Sequence, residues 1–243
     1  MKVILGALAD HFAHPMKTYP ALLTAAGLLL VAAPSAEAQT TLNWGSPMWS
    51  NLVNSQGQTL DSSFTFMIGA FKDNFVPDSS NDPAKNNMSQ WLSKWNTFDS
   101  TTYNGLFDSF ASSVQMLEFG KSSNPLYHTE LGLNFQDLNG YLWIRNGTTM
   151  EPGTEWMLAR ASTWVFPKYV CCDTYPVQWS VSDLASGGVT PLYGNQGGVI
   201  GPGVFTETGA YNLQTFTFVP EPSSAMLVAL TGTWLLLRRR RND

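Results

Sequence analysis

Outside the first 38 residues the chain holds a single histidine, His128, so any Ser-His-Asp or Cys-His catalytic arrangement would have to use it. It follows Asn124-Pro125-Leu126-Tyr127, a turn-forming stretch, and no Gly-x-Ser-x-Gly elbow accompanies it. A surface or packed histidine is the simpler reading. Cys171 and Cys172 are the only cysteines, and they are adjacent. Their Cα atoms lie about 3.8 Å apart across a trans peptide, below the usual disulfide range. A strained vicinal disulfide, two free thiols and pairing between chains all remain open. The Cys-x-x-Cys spacing of a redox enzyme is missing.

Oxygen ligands gather at Asp73-Asn74 and Asp78-Ser79-Ser80-Asn81-Asp82. Asp73, Asp78 and Asp82 suit a hard cation such as Ca²⁺, although the closing Glu and central Gly of an EF-hand are absent. Asx and Ser also crowd ordinary turns. Glu118, Glu151 and Glu155 are candidates for a glycosidase pair, which needs two carboxyls roughly 5 to 9.5 Å apart across a cleft. Sequence alone cannot place them, and any acidic domain supplies such pairs by chance. The expectation is therefore no enzyme and no obligatory cofactor.

Eight tryptophans lie between residues 39 and 219: Trp44, Trp49, Trp91, Trp95, Trp143, Trp156, Trp164 and Trp179. In a low-charge β domain most of them fill the core. One or two are expected to line a groove, where a flat indole stacks on a sugar ring. Trp91 and Trp95 are the first choices because their segment interrupts the strand pattern.

The elements that must position these residues read as short strands. Charged residues make up only 13% of the chain. Period-2 alternation bounded by turn residues recurs at Ser63 to Phe71, Val114 to Phe119, Tyr141 to Arg145, Trp156 to Arg160, Thr163 to Phe166, Val177 to Val181 and Leu213 to Val219. Asn139-Gly140 and Asn146-Gly147 are turn dipeptides. Trp91 and Trp95 at i, i+4 suit a helical turn, and Asp99 to Phe110 suits a second short helix with Phe107 and Phe110 at i, i+3. Ala185 to Gly209 is glycine-rich and reads as loop with one hairpin. The expected fold is all-β, an antiparallel β-sandwich of jelly-roll type with one or two short helices.

Both ends read as processing signals. Ala21 to Ala33 is an apolar run behind Lys17, and Ala36-x-Ala38 is a small-x-small cleavage site. Residues 1–38 are thus expected to be a signal peptide cut by signal peptidase between Ala38 and Gln39, with Met16 the expected true start. The exported domain is then 39–218. From 39 to 219 there are fourteen acidic against seven basic side chains, a balance of about −7 against −5 for the whole chain. Such a domain has no electrostatic footprint for nucleic acid or for an anionic lipid surface.

Residues 219–243 contain Val219-Pro220-Glu221-Pro222, fifteen residues from Ser223 to Leu237, and Arg238-Arg239-Arg240-Arg241. Fifteen residues span about 22 Å as a helix, short of the ~20 residues a hydrocarbon core needs. The run is a temporary membrane handle with its arginines held on the cytoplasmic side. The three parts in this order resemble the PEP-CTERM sorting signal of Gram-negative bacterial proteins, which exosortase, a membrane-embedded cysteine transpeptidase, handles. The resemblance implies export to the cell envelope or beyond, with transient anchoring in the inner membrane. Trp44-Gly45, Leu60 to Phe71, Phe75-Val76-Pro77, Trp91, Trp95 and Glu155-Trp156 further resemble a group of secreted PEP-CTERM proteins, through motifs that carry structure and no chemistry. The resulting expectation is a non-enzymatic structural or adhesive protein of exopolysaccharide or biofilm. The alternatives are a carbohydrate-binding module acting through exposed tryptophans and, behind it, a glycoside hydrolase.

Overall fold

The computed structural model describes residues 39–80, 84–128, 132–169, 175–185, 192–198 and 209–218. Their strands are β1 (Thr40–Gly45), β2 (Leu52–Val53), β3 (Thr65–Phe71), β4 (Trp95–Thr102), β5 (Ala111–Met116), β6 (Tyr141–Arg145), β7 (Glu155–Ala159), β8 (Val177–Ser180), β9 (Asn195–Gly197), β10 (Gly209–Gln214) and β11 (Phe216–Thr217). One helical turn, α1 (Trp91–Lys94), follows a 3₁₀ turn at Met88–Gln90. The architecture is all-β. Three sheets form, ordered β5-β1-β8, β2-β10-β9 and β11-β7-β6-β3-β4. The five-stranded sheet is antiparallel throughout. The pairs β1–β8 and β2–β10 are parallel, a departure from the antiparallel pattern expected.

The second expected helix is absent, because Asp99 to Thr102 belongs to β4 and pairs with β3. Thr163 to Phe166 makes only a single bridge, Val165 to Asn139. The strand expected up to Phe119 stops at Met116, and Phe119 turns away with φ 60° in a 3₁₀ turn. Among the described residues no helix is long and apolar enough to cross a membrane. The expected signal peptide and sorting helix lie outside them.

The five-stranded sheet is buried on both faces. Phe66 and Ile68 on β3, Leu142 and Ile144 on β6 and Met157 on β7 share one cluster with Leu42, Trp44, Val114 and Trp179 of the β5-β1-β8 sheet and with Leu52 and Leu213 of β2 and β10. Alternate residues face the other way. Met67, Phe71, Tyr141, Trp143, Trp156 and Leu158 cluster with Met88 and Trp91. Double-sided burial explains why β6 and β7 read as continuous apolar runs, since a strand covered on both faces has no polar side to display. Each large side chain removed from water adds roughly 1.5–3 kcal/mol.

A bulge sets the phase of β4. Ile68 pairs with Asp99 and Gly69 with Thr97, leaving Phe98 as the extra residue. Phe98 and Asp99 are consequently both buried. Gly69 lies opposite the bulge because Trp95 crosses it there. A Cβ on Gly69 would lie 2.2 Å from the Asn96 carbonyl oxygen and 2.7 Å from the Trp95 ring.

Candidate functional site

Most residues singled out for chemistry are employed in structure. The Nδ1 atom of His128 lies 2.9 Å from the Ser122 carbonyl oxygen, across a turn. Asp73 pairs with Lys94 at 2.8 Å, and the lysine holds its carboxyl below the usual range. Asp78 accepts the Ser80 backbone N–H at 2.7 Å, and that bond lowers its carboxyl likewise. Asp78 thus caps its own turn, whereas Asp73 is engaged in an ion pair with a residue 21 positions away. Asp82, Cys171 and Cys172 lie outside the described residues, as do Ala38, Val219 to Pro222 and the arginines 238–241. Among the described residues no group of three or more His, Cys, Asp or Glu is placed to hold a metal ion.

Of the three candidate glutamates, Glu118 sits exposed in a 3₁₀ turn and Glu151 exposed in a loop. Glu155 is buried on β7. It accepts the Ser55 backbone N–H at 2.8 Å, the Ser55 hydroxyl at 2.8 Å and the Thr215 hydroxyl at 2.5 Å. Asp99 on β4 is the second buried carboxylate, and it accepts from Trp44 Nε1, Ser112 Oγ and Asn124 Nδ2. Each of the two carboxylates accepts from three neutral protein donors.

The two tryptophans expected at a groove separate. Trp91 is fully buried and donates its indole N–H to Asn87 Oδ1 at 2.8 Å. It is a core residue: the helical turn lays its ring against Phe71, Trp143 and Tyr193. Trp95 is half-buried, with its indole N–H donating to Thr97 Oγ1 at 2.8 Å. It borders a cavity of about 230 Å³ with Thr97, Lys121, Ser122 and Tyr127.

The open indole is Trp49. It is 66% exposed, and its neighbours in a loop tip are Met48 at 63%, Leu106 at 80% and Phe107 at 45%. The tip is made of two loops zipped by backbone. The Trp49 N–H donates to Phe107 O at 2.8 Å and the Ser50 N–H to Asp108 O at 3.0 Å. Lower down, the Ser46 N–H meets Phe110 O at 2.9 Å and the Phe110 N–H meets Ser46 Oγ at 3.2 Å. Trp49 and Phe107 meet edge to face, with centroids 6.5 Å apart. Trp49 holds φ at 62°. A bulky residue in that left-handed region stores of order 1–3 kcal/mol of strain.

The second loop carries its own brace. The Leu106 N–H donates to Asn104 Oδ1 at 3.0 Å, and the Tyr103 hydroxyl to Asp108 Oδ1 at 2.6 Å. Burial first, then the Asp108 carboxylate, pushes the Tyr103 phenol above the ordinary tyrosine range. The unfolded chain releases that proton near pH 10 while the folded chain keeps it, so stability falls as pH rises through that range. The decline in urea midpoint above about pH 10 should be shallower in Tyr103→Phe. A part of the slope will persist, because burial and Glu155 raise Tyr193 too. An unchanged slope in Tyr103→Phe would mean that the fold does not hold this phenol protonated, through burial or through Asp108.

Trp49 carried no distinguishing signal in the sequence beyond Pro47-Met48-Trp49-Ser50, a turn that places two large apolar side chains side by side. Its exposure depends on a backbone zipper to a loop more than fifty residues away. Compared with protein-family models, curated proteins and solved structures, the chain finds no match in any of the three.

Proposed function

We propose that this chain is an exported, non-enzymatic protein of the cell envelope or extracellular matrix that adheres to polysaccharide through the Trp49–Phe107 tip. The observation that carries the reading is an indole two-thirds exposed, fixed in a strained backbone and backed by Phe107. An uncharged aromatic platform suits the apolar face of a sugar ring. The tip segments Ser46 to Ser50 and Asn104 to Ser109 contain no Lys or Arg, which disfavours an anionic membrane as the partner. A non-catalytic role is supported by Glu155 and Asp99, whose oxygens are committed to protein donors. The frame is best described as a jelly-roll-like sandwich, because one face of the five-stranded sheet shares its core with the other two sheets. Export would follow cleavage at Ala38-Gln39 and exosortase handling near Val219-Pro220-Glu221-Pro222.

Affinity electrophoresis through gels loaded with neutral polysaccharides tests adhesion. Trp49→Gly should weaken retardation at least tenfold, about 1.4 kcal/mol, without lowering the urea midpoint, since glycine accepts φ 62° freely. Retardation that survives Trp49→Gly and Phe107→Ala would sink the assignment. Intact mass of the protein from its native host tests sorting. A mature species still carrying Arg238 to Asp243 would rule out tail removal.

A further inference from the structure

A second recess differs in character from the loop tip. It has a volume of about 320 Å³, and the described residues lining it are Val76, Pro77, Tyr141, Arg160, Ser162 and Leu192. Its walls are tethered. Asn87 donates from Nδ2 to Val76 O at 2.9 Å and accepts the Asp78 N–H at 2.8 Å, which clamps 76–78. The Ser79 hydroxyl donates to the Leu192 carbonyl oxygen, and the Leu192 N–H donates to Leu158 O at 2.9 Å.

Arg160 is the one charged side chain among those lining residues. Its guanidinium carbon lies 5.7 Å from the centroid of the Tyr141 ring, and Nη2 donates to Asn139 Oδ1 at 2.6 Å. Its Nε–H is shut off from solvent and has no acceptor. No carboxylate forms an ion pair with it among the described residues. Neither Arg145 nor Arg160 has an acid partner among the described residues, and Arg160 is the one that lines this recess.

We infer that this recess binds a small carboxylate, docked on the Arg160 guanidinium, on a hydroxylated body about one ring in size. The planar fork of arginine matches a planar carboxylate through two parallel N–H donors, here one from each Nη, since the buried Nε–H is out of an occupant's reach. A single guanidinium with no second cation in the lining suits a monoanion better than a phosphate dianion. Val76, Pro77 and Leu192 supply apolar walls, while Tyr141 and Ser162 add hydroxyl groups. The volume stands at the low end of the roughly 300–1,000 Å³ typical of small-molecule sites, which limits the occupant to about one ring. The same chemistry is offered by a free sugar acid and by a uronate unit of a polymer.

Isothermal titration of the purified full-length protein with sodium D-glucuronate, at fixed ionic strength, tests this. Saturable binding is expected, with glucose and inorganic phosphate at least tenfold weaker. Arg160→Met should lower glucuronate affinity at least tenfold, and Arg160→Lys should also lower it by losing the fork. Val76→Trp, an exposed position at the rim, should block entry without disturbing the core, and covers the case in which the arginine variants fold poorly. Trp49→Gly should leave glucuronate binding intact, so failure here and failure at the loop tip are distinguishable. Parallel titration with D-galacturonate and polygalacturonate separates the sources: binding of both places polymer units in the recess, and binding of the monomer alone restricts it to the free acid. No saturable glucuronate binding, equal binding of phosphate or glucose, or full affinity in both Arg160→Met and Val76→Trp would overturn the site.

Discussion

Replacing Trp91 by alanine should cost about 3–5 kcal/mol of folding stability, read as a lowered urea midpoint at unchanged slope. For a domain of roughly this size each 1 kcal/mol shifts the thermal midpoint by about 2–4 °C, so a fall of about 10 °C is expected. The cause is packing. Trp91 is fully buried, edge-on to Trp143 at 6.2 Å, to Phe71 at 6.4 Å and to Tyr193 at 6.5 Å. Its N–H also anchors Asn87, whose side chain in turn holds the 76–78 segment. Alanine leaves a cavity under the outer cluster and frees that clamp. Trp91→Phe keeps a ring and loses the N–H bond, which limits the cost to about 1–2 kcal/mol. If Trp91→Ala kept its urea midpoint, the indole would not be in the core. A loss of sugar binding in Trp91→Ala would therefore say nothing about a binding face, whereas the same loss in Trp49→Gly at full stability would.

The contrast between those two indoles marks where sequence reasoning works in this chain. Alternation located β3 and β6, because side chains of a strand point to opposite faces whatever else surrounds them. It also gave most of β7 and all of β8 and β11, but only Leu213 and Gln214 of β10. It failed on β4, where the extra residue Phe98 breaks the period and brings Asp99 inside, so a strand looked like the start of a helix. The Phe107 and Phe110 spacing then reinforced the error, although Phe107 belongs to the exposed tip and Phe110 to the core. For Trp91 the helical turn was legible but its direction was not. An interruption in a β pattern faces solvent only if the sheet beneath it is covered by something else, and here this turn is part of the cover. The continuous apolar runs of β6 and β7 already announced burial on both faces. The candidate sites were less legible still. The exposure of Trp49 and the unpaired state of Arg160 come from contacts between segments far apart in sequence, which no local pattern encodes.

Asp99→Ala is expected to be nearly as costly as Trp91→Ala, for an electrostatic reason. The Asp99 carboxylate is buried, with Trp44 Nε1 and Ser112 Oγ donating to Oδ2 at 2.8 and 2.7 Å and Asn124 Nδ2 donating to Oδ1 at 2.7 Å. It thus ties β4 to β1, to β5 and to the loop ahead of His128 through three neutral donors. Alanine orphans those donors. The Trp44 N–H is 55 residues away from Asp99 in sequence and buried with it, so it has no route to water. At about 1–3 kcal/mol for each buried unsatisfied group, and with Asn124 able to turn outward, the total is about 3–5 kcal/mol. Asp99→Asn retains one acceptor oxygen but sets its NH₂ against a donor, so an intermediate loss of about 2–3 kcal/mol is expected. A double-mutant cycle isolates the mechanism. Trp44→Phe removes the most deeply buried donor, so the added cost of Asp99→Ala in that background should shrink by about 1 kcal/mol or more. If the two losses simply add, the bond from Trp44 is not what Asp99 contributes, and the carboxylate would have to be held for some purpose other than joining these sheets.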